Sequence, residues 1–246
     1  MRVNTFSLVA RCARTGELGA AVASAVPAVG AICLRLRAGV GAVSTQSWVN
    51  PYLADAALDA MAAGAGAQAA LDAALAADPA AAARQIGVIG PVGPGAAWTG
   101  ADCTAWAGQA TGADFAAQGN MLTGPEVIAA MARAFAADPA AALEERLMRA
   151  MESAQAAGGD KRGRQSAALM VVGAEAYPRV DLRVDEHAAP IGELRRVLTV
   201  ATAQLAPFVA GMPRRGEAPS PAPADVVAML LRSPPDRPGG GGARKP

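Results

Sequence analysis

Strand-like and helix-like segments follow one another along this chain in blocks rather than in alternation. Four strand patterns come first, two alanine-rich helices follow, and later strands and helices again come in groups. A parallel sheet needs a helical crossover between neighbouring strands, so this order excludes an alternating βαβ architecture. The block order predicts two packed antiparallel sheets covered by helical layers.

Alternation and turn residues give the approximate limits of these segments. Strands are expected over residues 5–12, 17–24, 31–37, 40–46, 85–90, 96–100, 166–173 and 177–186. Helices are expected over residues 52–62, 68–77, 125–136, 140–156 and 190–205. Asn50 before Pro51 has the pattern of a helix N-cap followed by proline in the first turn.

The segment GGDKRGRQSAALMVVG, residues 158–173, joins a charged, glycine-rich loop directly to an apolar strand. Loops of this kind deliver polar side chains to the mouth of a buried strand. Asp160, Arg162 and Gln165 are therefore candidate ligand-binding residues. A charged surface turn with no ligand is the alternative interpretation.

A phosphate-binding loop is a poor explanation of the same segment. Gly158 and Gly163 have the required spacing, but Arg164 stands at the lysine position. The anion in such a site is bound by the amino end of a following helix, and here a strand follows. Nucleotide binding is therefore not expected.

The overall charge and composition exclude several classes of protein. The chain has 22 Lys and Arg against 21 Asp and Glu, a net charge of +1, and only 4% aromatic residues. No positive field favours nucleic acid, and few side chains are available to stack on bases. No apolar run reaches the length of about 18 residues that would span a bilayer. We expect no nucleic-acid partner and no membrane partner.

Cysteine and histidine usage excludes most metal and histidine-dependent sites. Cys12, Cys33 and Cys103 are widely spaced and form neither a disulfide pattern nor a zinc motif. His187 is the single histidine and follows two acidic residues, a context typical of a solvated surface. With no secretory signal in the sequence, we expect a cytoplasmic protein without a metal or cofactor.

The composition changes after Pro207 to a segment rich in Pro, Gly, Arg and Ala that ends in GGGGARKP. Such a segment buries too little apolar surface to offset its ordering entropy. The expected organisation is one domain over residues 1–206 and a disordered tail over 207–246, with a short helix at 225–231.

Six segments in order carry a resemblance to a known bacterial family, called domain of unknown function 1028. They are TFSLVAR, GELGAAVAS, STQSWVNP, AQGNML, AAGGDKRGRQSAALMVV and VDLRVDEH. The resemblance covers about residues 5–198. That family is grouped with the N-terminal-nucleophile (Ntn) hydrolases, which implies their four-layer αββα sandwich of two antiparallel sheets.

The resemblance also implies a nucleophile. In that superfamily the first residue of the first strand attacks an amide carbonyl, and its own α-amine is the base, since an α-amine has a pKa of about 8. Thr5 is the matching residue, but Met1 to Asn4 precede it, so a free amine requires cleavage of the Asn4–Thr5 bond. A β-branched strand residue without a catalytic role is the alternative.

Neutral amides and a charged strand face complete the set of candidates. Gln118 and Asn120 flank a glycine and are expected to read a substrate amide or hold an oxyanion, unless Asn120 caps the following helix or belongs to a turn. Gln46 has the same two interpretations. In VDLRVDE, Arg183 and Asp185 share one face with Asp181, which suits a polar ligand or a solvent-exposed salt-bridge ladder. At least one of the nearby aspartates should pair with Arg183.

Together these residues predict a hydrolase of a small amide, imide or ureido compound. Its catalytic residues would be Thr5, Asn120 and Asp160, and the rest of the set would bind the small-molecule substrate in the same cleft. Two alternatives remain open: a non-catalytic binding or assembly protein on this fold, and an enzyme acting through Asp160 and Asp185 without a covalent step. Homo-oligomerisation is also left open.

Overall fold

The computed structural model describes residues 5–218 and 220–231. The chain divides into two compact units, Met1–Arg196 and Val197–Pro246. All the strands described lie in the first unit. The second unit contains the end of the last long helix and two short helices.

Ten strands are present in the described residues. They are β1 (Thr5–Arg11), β2 (Leu18–Ser24), β3 (Leu34–Arg37), β4 (Gly41–Ser47), β5 (Arg84–Ile89), β6 (Ala96–Thr99), β7 (Gly108–Thr111), β8 (Phe115–Asn120), β9 (Ser166–Val172) and β10 (Pro178–Val184). The helices are α1 (Val29–Cys33), α2 (Pro51–Ala62), α3 (Ala67–Ala76), α4 (Glu126–Ala136), α5 (Leu143–Ala156), α6 (Pro190–Gln204), α7 (Ala206–Ala210) and α8 (Ala224–Leu230).

The strands form two entirely antiparallel sheets. Sheet A has six strands in the order β10-β9-β2-β1-β8-β7, and sheet B has four in the order β3-β4-β5-β6. Strand β1 therefore lies near the middle of sheet A, between β2 and β8. Residues distant in sequence are brought side by side there.

The two sheets pack face to face, with helices on both outer faces. Helices α2 and α3 cover sheet B, where Leu53 and Leu71 pack with Ile86 of β5. Helices α4 and α5 cover sheet A, and the approach is so close that a Cβ at Gly19 would lie 2.7 Å from Leu147. The predicted four-layer αββα sandwich of two antiparallel sheets is confirmed.

The space between the sheets changes from apolar to polar along the strands. At one end Val9, Leu18 and Ile89 belong to a buried apolar cluster. Towards the other end of the same strands, Ser7 and Gln85 are completely buried. Alternate residues of a strand point to the same face, so this change arises within single strands. The polar end contains the candidate site.

The strand predicted over residues 31–37 is partly wrong, because a short helix occupies its first half. Val29–Cys33 forms α1, and only Leu34–Arg37 is extended. The hydroxyl of Ser166 accepts a hydrogen bond from the Val29 N–H at 3.1 Å and so caps this helix from β9. Alternation within a short apolar run cannot reveal a cap supplied by such a distant residue.

In the second unit, α8 occupies Ala224–Leu230, close to the short helix predicted at 225–231. Val226 is buried, and its side chain lies close to the turn at Gly211. Residues 232–246, which contain the glycine run, lie outside the described residues. Within the described residues, no helix has both the length and the hydropathy to cross a membrane.

Asp78 is a buried carboxylate that ties the loop after α3 to the start of β5. Its Oδ2 accepts hydrogen bonds from Arg84 Nε at 2.7 Å and from Asn50 Nδ2 at 3.2 Å. The Arg84 guanidinium is the main reason that the pKa of Asp78 falls to about 2, from an ordinary 3.8. Because the folded pKa is the lower one, the stabilisation is complete above the unfolded pKa and is lost as pH falls towards 2.

We therefore expect this group to contribute about 2 kcal/mol to the free energy of unfolding at neutral pH, and to lose that contribution between about pH 4 and pH 2. Urea unfolding across this pH range should show a shallower acid dependence in Asp78→Asn than in the wild type. Parallel pH profiles for the two proteins would contradict the assignment.

Candidate functional site

Four polar side chains form one row across the middle of sheet A. In the strand register, Ser166 lies opposite Ser24, Ser24 opposite Thr5, and Thr5 opposite Asn120. Each of the four is the first or last residue of its strand and is at most 2% exposed. Residues directly opposite in neighbouring strands point to the same face, so the row presents three hydroxyls and an amide to sheet B.

The hydroxyls of this row differ in how they are bonded. Thr5 Oγ1 donates to Ser24 Oγ at 3.2 Å. The Ser166 hydroxyl donates to the Val26 carbonyl at 2.5 Å while it caps α1. The Ser166 hydroxyl thus bonds two backbone groups, whereas the Thr5 hydroxyl bonds another side-chain hydroxyl.

Asp160 lies beside Ser24, an inner member of this row. Its carboxylate accepts hydrogen bonds from the Ala25 N–H at 3.2 Å and the Arg162 N–H at 2.9 Å, and its side chain is 1% exposed. Arg162 also forms an ion pair with it at 3.3 Å. A buried carboxylate is costly to desolvate unless it is bonded in this way. Asp160 therefore fixes the peptide next to Ser24, whose hydroxyl Thr5 contacts.

The two predicted amide residues also reach this region, from opposite sheets. Gln46 of β4 donates to the Thr5 carbonyl at 3.2 Å, so sheet B holds the main chain of the candidate nucleophile. Asn120 of β8 donates through Nδ2 to Gln85 Oε1 at 2.9 Å. The structure thus gathers Thr5, Gln46, Asn120 and Asp160 at one end of the sandwich. Asn120 ends a strand and does not cap a helix.

Buried amides connect the row to the interior. Gln85 Oε1 accepts from both Gln46 and Asn120, and Ser7 donates to Gln46 Oε1 at 2.6 Å. Gln118 in turn donates to Ser7 Oγ at 2.6 Å. Sequence reasoning missed Ser7 and Gln85. The sequence feature that could have identified them is a polar residue at an inward-facing position of an otherwise apolar strand.

Gly87 makes room for this network. A Cβ at residue 87 would lie 2.1 Å from Gln118 Oε1, and Ser44 lies opposite Gly87 in the strand register. Among the described residues, Gln118 Oε1 and Ser44 Oγ are the buried side-chain polar atoms that have no hydrogen-bond partner. The network is therefore tightly packed here, and only glycine fits beside the Gln118 carboxamide.

Gly87→Ala is expected to displace the Gln118 carboxamide, break its bond to Ser7 and lower the free energy of unfolding by about 1–3 kcal/mol. Chemical denaturation of the purified protein measures this effect. Gly192→Ala is the control, because Gly192 is exposed in α6 with no atom near its Cβ position, and it should leave stability unchanged or slightly raised. Equal effects of the two substitutions would contradict the packing argument.

The remaining predicted residues are Gln165, Arg183 and Asp185. The main chain of Gln165 is next to the row, since its N–H donates to the Ser24 carbonyl at 2.8 Å. Arg183 is on β10, three strands from β1 and so about 14 Å away by strand spacing. It pairs with Asp185 at 3.5 Å, and both side chains are about half exposed, at 48% and 53%.

The pairing expected for Arg183 is therefore present. Arg183 lies on the edge strand of sheet A, whereas Thr5 lies on a strand near its middle. Sequence alternation placed Arg183 and Asp185 correctly on one face of a strand, yet it could not show that this strand is at the edge of the sheet.

Lys161, the lysine of the glycine-rich loop, donates a hydrogen bond to the Ala105 carbonyl at 2.7 Å. Within the described residues, no three His, Cys, Asp or Glu side chains are grouped as metal ligands.

The fold and the row define the class of this protein: an antiparallel αββα sandwich with a hydroxyl-and-amide site at the start of a central strand. The model of the family described as "Family of unknown function (DUF1028)" matches residues 5–194. The chain belongs to this family, as its sequence predicted.

A solved structure supports the same assignment. The crystal structure of protein SPO2555 from Silicibacter pomeroyi, a DUF1028 protein, is 31% identical to this chain and superposes with a TM-score of 0.79. The match covers 85% of this chain and 92% of that one. A search of curated proteins gives no match to this chain.

Proposed function

We propose that this protein is an N-terminal-nucleophile-type hydrolase of a small amide, imide or ureido compound, with Thr5 as the nucleophile. The observation that carries the proposal is the position of Thr5. It is the first residue of a central strand, its hydroxyl faces the space between the sheets, and the amide residue Asn120 lies opposite it. A buried carboxylate bonds the peptide next to Ser24, which the Thr5 hydroxyl contacts.

The proposed reaction begins with attack by Thr5 Oγ1 on the substrate carbonyl carbon. The α-amine of Thr5 takes the hydroxyl proton, and the resulting ammonium returns it to the leaving nitrogen as the C–N bond breaks. This step leaves an ester on Thr5, which water then hydrolyses. The amine exists only if the Asn4–Thr5 bond has been cleaved, so cleavage is part of the proposal.

Asn120 is the proposed oxyanion donor. Its Nδ2 carries two hydrogens, and the one bond described for it is to Gln85 Oε1. Asn120, which carries the second hydrogen, is directly opposite Thr5 in the strand pair. The Cβ atoms of two residues paired in this way are about 5 Å apart. Removing such a donor typically lowers kcat by about 10²-fold or more.

Asp160 acts in this proposal as a positioning residue. It accepts a hydrogen bond from the Ala25 N–H next to Ser24, and the Ser24 hydroxyl accepts a hydrogen bond from the Thr5 hydroxyl. A carboxylate in this position also favours the protonated form of a nearby amine. Asp160→Asn should therefore change the pH profile of kcat as well as its size, whereas damage to the fold alone would leave the profile unchanged.

Intact-mass spectrometry of the purified protein tests the central requirement. If Thr5 is an N-terminal nucleophile, the mass corresponds to a chain that begins at Thr5, and Thr5→Ala retains Asn4. A wild-type chain that retains residues 2–4 would contradict the proposal and favour a binding protein on the same fold. Trypsin digestion and sequencing of the first peptide confirms which residue is first.

A further inference from the structure

Strand β10 is an outer edge of sheet A and pairs with β9 alone among the described strands. An edge strand presents unpaired N–H and C=O groups, and proteins usually block such edges or use them for pairing. The ladder with β9 runs without a shift from Val180 to Val184, after an irregularity at its start. These five residues are the regular part of the edge.

The sequence of this segment is complementary to itself when reversed. It reads Val-Asp-Leu-Arg-Val from Val180 to Val184. A second copy laid antiparallel, with Leu182 opposite Leu182, places Val180 opposite Val184 and Asp181 opposite Arg183. By symmetry the charged pair occurs twice. Opposite charges and β-branched residues directly across a strand pair are both stabilising.

The charges of this segment are available in the single chain. Asp181 is exposed, and no ion pair is present for it among the described residues. Arg183 is 48% exposed and reaches Asp185 at 3.5 Å, a long contact between two exposed groups. Such surface pairs contribute little and exchange readily for a better partner.

Charge also selects the register. A slip of two residues in one direction places Asp181 opposite Asp181, and in the other direction Arg183 opposite Arg183. Like charges directly opposite are destabilising. A slip of one residue places residues that point to opposite faces of the sheet across from each other, so the two sheets could not continue with their inner faces on the same side.

We infer that β10 is a homodimer interface that pairs antiparallel with β10 of a second copy about Leu182. The two six-stranded sheets then continue as one sheet of twelve strands. A strand pair of five residues buries less area than the roughly 1,000 Å² of stable interfaces. The dimer is therefore concentration-dependent, and it weakens at high salt because the two Asp181–Arg183 pairs are exposed.

Two charge reversals and their mixture test this interface. Asp181→Arg places arginine opposite arginine, and Arg183→Asp places aspartate opposite aspartate, so each variant alone should be monomeric at concentrations where the wild type is dimeric. An equimolar mixture restores two opposite-charge pairs and should recover the doubled mass. Sedimentation velocity or light scattering on the full chain measures all four samples.

Asp55→Arg, an equal charge change at an exposed residue of α2, is the control and should dimerise as the wild type does. A wild type that stays monomeric at every concentration, a dimer that persists in Asp181→Arg, or a mixture of folded variants that stays monomeric would each overturn the inference. If circular dichroism shows that a reversal has unfolded the protein, Asp181→Asn and Arg183→Gln replace the pair, and each should weaken dimerisation at least tenfold.

Discussion

Thr5→Ala is expected to lower the hydrolytic kcat by about 10⁴-fold or more, because it removes the atom that forms the covalent ester. Thr5 is buried, and alanine keeps the backbone carbonyl that accepts the Gln46 hydrogen bond, so the substitution should leave the fold intact. The measurement is product release from a panel of small amides, imides and ureido compounds, with thermal unfolding recorded for each variant.

Thr5→Ser is the matched control, since it keeps both the hydroxyl and the α-amine and should retain much of the activity. The aspartate alternative makes the opposite prediction. If Asp160 acts directly on water, Thr5→Ala keeps most of its activity while Asp160→Asn loses it. A full-activity Thr5→Ala variant would therefore remove Thr5 from the mechanism without affecting the fold or the family.

Gln85→Leu is expected to lower the free energy of unfolding by about 4 kcal/mol, because it removes a buried carboxamide that forms several hydrogen bonds. Gln85 Nε2 lies within bonding distance of Thr99 Oγ1 and of the carbonyls of Gly108 and Gly119. Its Oε1 accepts from Gln46 and Asn120. Leucine has a similar size but leaves these groups buried without partners, and each such group costs about 1–3 kcal/mol.

Guanidinium chloride unfolding of the variant measures this loss. Gln68→Leu is the control, because Gln68 is exposed on α3 and bonds only Asp72 among the described residues, so its replacement should change stability by about 0.5 kcal/mol or less. Similar values for the two variants would show that the interior amides are not a coupled network. A Gln85→Leu protein that folds should also lose activity, because Gln46 and Asn120 then lack a common acceptor.

Much of the fold was predictable because its signals are local. Alternation in TFSLVAR and SAALMVVG, and apolar spacing of three and four residues in α4, are read within one segment. The prediction was wrong at α1, where a cap from β9 forms a helix in an apolar run. It was also incomplete around residues 108–120, where β7 and β8 were not distinguished from turns.

The candidate site was predicted in part, for a different reason. Thr5, Gln46, Asn120 and Asp160 were found from residue type and family resemblance, and the structure brings them together. Gln85 and Ser7 were missed, since a lone polar residue in a strand gives no indication of what lies opposite. Arg183 and Asp185 were predicted to share one face of a strand, but nothing in the sequence indicated that this strand is at the edge of the sheet, three strands from β1.

The sequence by itself determined most of the order of strands and helices, the alternation of faces along the predicted strands, and membership of the family, because these depend on periodicity and on segment patterns. Only the tertiary structure decided the strand order of sheet A. That order places Ser166, Ser24, Thr5 and Asn120 in one row and leaves β10 at the edge. The physical reason is that hydrogen-bonded pairing between distant strands is selected by packing of the whole core, which no local pattern records.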